Sequence, residues 1–377
     1  MQKRLQFIDL HRAIVILVMI EVHIFNALII PQIKTLPWYG VLSFINGLVA
    51  PSFLFITGFV FVLTSEKKIG EFRKFSGLFW KQLFRILMIW VIGYSLRWSG
   101  DSVWVMIKYY PPEAWAEVFK VDVLHTIAVG LLGLFALRLV LMPRQVFTWI
   151  NIGLVLFFCI SAPYIFMYNF HQVLPWGVAN YFTPKGGSLF PLFPWLSFIF
   201  AGGAVGSLFL NWQEQQKSIK TFFYYLGGLG LFLIVSGHLV FTGSSPFLIK
   251  TPHPSPFFTS ARIGYVLVLF FFCWFVSEKK DLSKSSLMDI SKASLFVYWL
   301  HIMMIYAPLW NGQSLVKRIG GTLTSLECLL ATGILIFLMQ DVSIILVRLK
   351  NTYPKTMLYL SRAVILIPLA YFLLMIF

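Results

Sequence analysis

The chain has 377 residues, 59% of them hydrophobic and only 12% charged. A soluble globular domain carries about 25% charged side chains, so the composition excludes that class and points to an all-α polytopic integral membrane protein. The formal net charge of +16 is spread through the loops rather than gathered in a tail. That pattern argues against nucleic acid and for the anionic headgroups of a lipid bilayer, or an anionic substrate, as partners.

Windows of about 20 apolar residues predict a bundle of about eleven transmembrane helices. They fall near 8–30, 41–64, 78–97, 120–141, 146–166, 188–210, 220–242, 259–277, 291–310, 322–348 and 357–376. Residues 1–377 are read as one transmembrane domain. The first apolar stretch is interrupted by charged groups and lacks a small-x-small cleavage signature, so it is expected to stay as the first span. No 20–50-residue repeat stands out, which argues against a solenoid or an inverted-repeat transporter. Placing the N-terminus in the cytoplasm puts most of the 30 Lys and Arg residues on the inner side, as the positive-inside rule requires. Cys159, Cys273 and Cys328 lie in apolar runs without ligand spacing, so neither a disulfide nor a metal site is expected.

The first span, from Arg4 to Ala27, carries Asp9, His11, Arg12, Glu21, His23 and Asn26 among its apolar residues. An ionisable group inside the hydrocarbon costs about 2.5–3.5 kcal/mol on insertion scales, so these side chains are candidates for chemistry. Arg12 and His23 share one helix face, about 16 Å apart along the axis; Asn26 lies about 60° from His23, and Glu21 about 200°. Asn26 is therefore the expected neighbour of His23, whereas Glu21 and Asp341 are expected to pair within the bundle.

His125 and His301 also fall inside apolar helices, and His238 lies toward the end of another. A neutral imidazole can accept a proton or attack an acyl group near neutral pH; a membrane histidine can equally serve as a helix-packing hydrogen bonder. On the inner side, Lys67, Lys68, Arg73 and Lys74 precede Lys81 and Arg85, which stand four apart on one helical face. This cationic funnel suits the phosphates of a nucleotide-like donor, and the positive-inside rule alone also accounts for it. The loops 98–119 (Trp98, Trp104, Tyr109, Tyr110, Trp115), 167–187 and 243–258 are rich in aromatics and Pro, as expected of an interfacial belt or of a cap over a sugar.

The spacing Arg12-x10-His23 in HRAIVILVMIEVH resembles the arginine-x10-histidine motif of transmembrane acyltransferases. RLQFIDLHRAIVILVMIEVH is similar to the opening helix of the heparan-alpha-glucosaminide N-acetyltransferase catalytic family and its bacterial relatives. LVAPSFLFITGFVF (48–61), DVLHTIAVGLL (122–132), LFPLFPWLSFIFAGGAVG (189–206) and SLFVYWLHIMMI (294–305) continue the resemblance in order. It implies transfer of an acyl group, usually acetyl, from cytoplasmic acetyl-CoA or another acyl-CoA to a glycan or amino-sugar acceptor across the membrane. His23 carries over as acyl acceptor or general base. Arg12, Lys81 and Arg85, with Arg73 and Lys74 behind them, become the candidate CoA contacts. His125 and His301 become cavity residues of the catalytic set, and Asn26, Trp176 and Trp195 candidates for holding the acceptor. The loop Pro31–Gly40 has no histidine, unlike the eukaryotic enzymes. Location in a bacterial plasma membrane follows from the same resemblance, and a homo-oligomer is compatible with it.

Two other classes compete. A transporter or flippase for a polar or lipid-linked substrate would use Glu21, His23, His301 and Asp341 as a proton relay. A non-enzymatic scaffold would leave the charged first span without a purpose.

Overall fold

The computed structural model describes residues 5–97, 101–140, 143–241, 254–282 and 285–375. Lys3, Arg4, Trp98, Met142, Lys284 and most of the 243–258 loop lie outside the described residues. Among the described residues the chain is helical, with no strand beyond two isolated bridges. The main helices are α1 (Gln6–Leu28), α2 (Pro37–Asn46), α3 (Val49–Ser65), α4 (Gly77–Ser95), α5 (Val123–Val140), α6 (Arg144–Met167), α7 (Leu192–Glu214), α8 (Ile219–Phe241), α9 (Pro256–Lys279), α10 (Ser294–Tyr306), α11 (Ser325–Thr352) and α12 (Pro354–Leu374). Among the described residues, eight helical segments are long and apolar enough to cross a membrane. This is an all-α polytopic membrane protein, and each of the eleven predicted windows falls on a helix.

Two windows are refined by local chemistry. The window 41–64 divides into α2 and α3 at Gly47, a residue of low helix propensity, beside Asn46, whose amide turns toward Glu21. The window 291–310 is broken at Ala293 (φ −102, ψ 13), between a short helix Leu287–Lys292 and α10. It ends at Tyr306, where Ala307 turns extended one residue ahead of Pro308, as a residue before proline prefers. At 13 residues, α10 spans about 20 Å, short of the ~30 Å hydrocarbon core.

The chain groups into two compact units, Met1–Phe53 with Phe272–Arg362, and Leu54–Phe271 with Ala363–Phe377. In the first, α1 packs against α10, α11 and Leu287–Lys292. Its polar anchors are specific: Ser291 donates to the buried Asp9 at 2.9 Å, and Gln6 donates to Asp281 at 2.6 Å. The far end of α1 is tied down by backbone bonds from Leu323 N–H to Leu28 and from Ile30 N–H to Leu323, both 2.9 Å. Immediately after Leu323, Thr324 forms a capping box with Glu327 that starts α11.

The second unit is built around α7, which packs on α6 and α5. Gly58 of α3 faces the Ile199 carbonyl, and Gly202 of α7 faces the Phe55 carbonyl, so closely that any Cβ would collide with backbone. Such small residues let helix backbones touch where lipid supplies no hydrophobic drive between helices. Beside this crossing, Phe59 meets Phe270 edge-on at 4.9 Å and Phe209 at 5.6 Å, forming a continuous aromatic core. Gly202→Val is expected to lower stability by about 1–3 kcal/mol through overpacking. The check is the thermal unfolding midpoint of the purified protein in detergent, and a midpoint equal to wild type would disprove the close crossing.

Candidate functional site

In the first unit, α1 and α10 bring two imidazoles and a phenol together. The His23 and His301 rings lie 5.1 Å apart between centroids, and His23 Nδ1 is 3.4 Å from the Tyr306 hydroxyl. His301 is fully buried and its Nδ1 is 2.7 Å from the Val297 carbonyl. A carbonyl only accepts, so Nδ1 carries the proton and the neutral ring keeps its lone pair on Nε2. That Nε2 is buried without a hydrogen-bond partner among the described residues. His23 is half-buried. The cluster thus holds one base in a fixed tautomer beside a second imidazole whose Nδ1 is steered by a phenol.

The other polar groups of α1 are placed as follows. Arg12 stands on the same uninterrupted helix, about 16 Å from His23 along its axis. Asn26 is exposed; its side-chain oxygen accepts from Tyr39 at 3.0 Å and its backbone carbonyl from Lys34 at 2.8 Å. Glu21 accepts from the Asn46 amide at 3.4 Å, so it does pair inside the bundle. Asp341 is exposed on α11.

The remaining candidates belong to the second unit. His125 is fully buried near the start of α5, and its Nδ1 accepts the Asp122 backbone N–H at 2.9 Å. Its neutral tautomer is therefore the reverse of that of His301, with the proton on Nε2. The ring packs on Tyr94 at 4.1 Å and against Gly93, where a Cβ would fall about 2.9 Å from the imidazole. The neighbouring Tyr181 hydroxyl accepts from Trp90 at 2.7 Å and lies 3.3 Å from the Tyr94 hydroxyl. Burial pushes the Tyr181 phenol above its ordinary value, partly offset by these hydrogen bonds, so it stays neutral. His238 hydrogen-bonds Tyr265 at 3.0 Å between α8 and α9, the packing role open to any membrane histidine. Trp176 is exposed with its ring 4.2 Å from His171; Trp195 packs on Phe190 at 4.8 Å.

The basic side chains divide sharply. Glu66 at the end of α3 accepts from Arg138 at 2.6 Å and also pairs with Arg144; Arg144 continues to Asn211 at 3.0 Å and to Glu214 at 2.8 Å. This network joins the ends of α3, α5, α6 and α7. Arg73 donates to the Leu139 and Arg138 carbonyls at 3.0 and 3.1 Å, completing the last turn of α5. Lys74 is 74% exposed and only loosely paired with Glu71 at 3.7 Å. Lys81 and Arg85 are exposed one turn apart on α4 and make no ion pair among the described residues.

Tyr306, Asn46 and Glu66 escaped the sequence reading. Tyr306 lies five residues beyond His301, and the stretch LHIMMIY has no periodic signal marking it as a partner of α1. Glu66 looked like one acidic residue in a basic loop.

The two imidazoles in contact across α1 and α10 are groups able to take up or pass on a proton in a polytopic helical bundle. The description "Heparan-alpha-glucosaminide N-acetyltransferase, catalytic" fits residues 4–227. The chain belongs to that family and is a membrane acetyltransferase. No curated protein sequence matches the chain. The matched residues include Arg12, His23, Lys81, Arg85 and His125, whereas His301 and Tyr306 lie beyond them.

The ion network predicts unequal responses to charge removal. Glu66→Gln leaves Arg138, 3% exposed, without its carboxylate and is expected to cost about 3–5 kcal/mol. Glu214→Gln, 63% exposed, is expected to cost no more than ~1 kcal/mol. Denaturation midpoints of the two variants measured side by side test the ranking; equal losses would refute it.

Proposed function

We propose that the protein transfers an acetyl group from cytoplasmic acetyl-CoA to a hydroxyl or amino group of a saccharide on the extracytoplasmic face of a bacterial plasma membrane. In this reading residues 1–377 act as one catalytic domain of about eleven spans, with the N-terminus inside. The observation that carries the reading is the contact of His23 with Tyr306 and His301, on a helix that opens a matched acetyltransferase sequence.

When Nδ1–H of His23 donates to the Tyr306 oxygen, Nε2 carries the lone pair that attacks the thioester carbonyl. The C–S bond breaks, CoA leaves as thiolate, and the acetyl group rests on Nε2 as an acyl-imidazolium. The acceptor oxygen or nitrogen then attacks this carbonyl and loses its proton to the open Nε2 of His301. His23 returns neutral, and the His301 proton neutralises the thiolate. A direct route uses the same groups: His23 takes the acceptor proton while the acceptor attacks the thioester itself. Lys81 and Arg85, with Lys74 beside them, would hold the CoA phosphates. Arg12 and Arg73 are assigned to the donor as well. Asn26, Trp176 and Trp195 are assigned to the acceptor, and His125 is kept as a candidate of the catalytic set.

Release of CoA from acetyl-CoA by the purified protein, with a panel of sugars and amino sugars, tests the reading. His23→Ala is expected to lower turnover by ~10²–10⁴-fold. Tyr306→Phe, which removes one hydrogen bond worth about 1 kcal/mol, should lower it several-fold. Radiolabel held on wild type without acceptor selects the acyl-enzyme route; its absence with intact turnover selects the direct one. Full activity in His23→Ala would remove His23 from the site. Absence of turnover, combined with substrate counterflow in liposomes, would favour a transporter or flippase.

Lys81→Ala with Arg85→Ala is expected to raise the KM for acetyl-CoA about tenfold or more, with kcat nearly unchanged, because phosphate contacts far from the reacting carbonyl bind ground and transition states alike. An unchanged KM would reassign the pair to lipid headgroups.

A further inference from the structure

The second unit contains a cavity that shares Trp195 with the proposed acceptor side but whose Arg262 none of the proposed steps uses. Its volume is about 250 Å³, and it lies where the end of α6, the start of α7 and the first turns of α9 converge. Phe166, Pro194, Trp195 and Phe198 form apolar walls, with Thr259 and Arg262 on the α9 side. The ion network of Glu66, Arg138, Arg144 and Glu214 sits at the opposite ends of α6 and α7. The cavity therefore opens on the other side of the unit.

Arg262 is the feature that sets the cavity's chemistry. It lies six residues beyond Pro256, about 9 Å into α9, with its guanidinium over the Phe258 ring at 4.2 Å. Its Nε is buried without a hydrogen-bond partner, and no carboxylate pairs with it among the described residues. The side chain is only half-buried, so its remaining guanidinium donors are open to a ligand. Guanidinium presents a planar fork of N–H donors matched to two oxygens of a carboxylate or phosphate. Thr259 already spends its hydroxyl proton on the Ser255 carbonyl at 3.3 Å, so the site recognises charge more than a neutral hydroxyl. The volume is below the ~300–1,000 Å³ of clefts that bury drug-sized ligands. It suits one ring or one headgroup, with Trp195 as an apolar wall.

We propose that this cavity binds an oxyanion, a carboxylate or phosphate borne by a single sugar ring or by a lipid headgroup, through the Arg262 guanidinium. The inference does not rest on acyl transfer. A His23→Ala protein that has lost turnover keeps this site.

The test uses the full chain in neutral detergent and follows its unfolding midpoint with added glucuronate, inorganic phosphate or glucose at matched ionic strength. A parallel series uses nanodiscs of zwitterionic lipid with and without phosphatidylglycerol. Wild type and His23→Ala are expected to show a saturable rise in midpoint with the anions or the anionic lipid, and none with glucose. Arg262→Gln is expected to abolish the response while unfolding near the wild-type temperature, since Arg262 is only half-buried and makes no ion pair among the described residues. Arg262→Lys keeps the charge without the fork and should need at least tenfold more anion. If Arg262→Gln does not fold, Arg262→Lys and Trp195→Ala carry the test; the second should weaken glucuronate more than phosphate. A response confined to phosphatidylglycerol assigns the site to a lipid headgroup, and a response to glucuronate or phosphate assigns it to a soluble ligand. The proposal falls if glucose acts as well as glucuronate, if Arg262→Gln or both fallback variants respond like wild type, or if no anion in either series shifts the wild type.

Discussion

Arg138 is buried inside an apolar helix bundle, and its charge is tolerable because Glu66 reaches it from the end of α3. The same constraint governs the rest of the chain: with lipid outside and phenylalanine inside, a polar side chain must find a partner within the protein. Among the described residues, several pairs that meet that demand join separate helices. Asp9 takes Ser291, Glu21 takes Asn46, His238 takes Tyr265, and Arg144 spans Glu66, Asn211 and Glu214. Apolar packing is generous and non-directional here, so these sparse contacts decide which helix faces which neighbour.

Where the demand is left unmet, function becomes the economical explanation. His301 and His125 each spend Nδ1 on a local backbone group and leave Nε2 open, but His301 donates to a carbonyl whereas His125 accepts an N–H. Two buried imidazoles of one chain are thereby held in opposite tautomers, one presenting a lone pair and the other a proton. Neither arrangement needs a charged ring. Each is set by a backbone group of the local helix, so it persists through changes elsewhere in the bundle.

Much of the architecture was legible in the residues because hydrophobic length is a one-dimensional property: a run of about 20 apolar residues in membrane makes a helix with little competition. The interruptions at Gly47 and Ala293 were less visible, since each depends on one residue overruling an otherwise continuous run. The cost of burial made His23 and His301 stand out as candidates. Their juxtaposition could not be read, because it depends on how α10 rotates against α1 and on where the chain breaks at Ala293. Arg73 shows the converse. In sequence it is one of a basic group, whereas in space its donors close the last turn of α5. Charge type is readable from sequence; the neighbour a charge meets across 65 residues is not.

The position of Tyr306 has a practical corollary for anyone who engineers this chain. The family signature ends at residue 227, yet the groups that touch His23 come from residues 301 and 306. A fragment or chimera cut at the edge of that signature would still be recognised as an acetyltransferase by its sequence. It would lack the phenol and the imidazole beside His23. Keeping the His23–His301–Tyr306 contact in another scaffold therefore requires α1 and α10 as a matched pair, together with the Leu28–Leu323 backbone tie that fastens the end of α1.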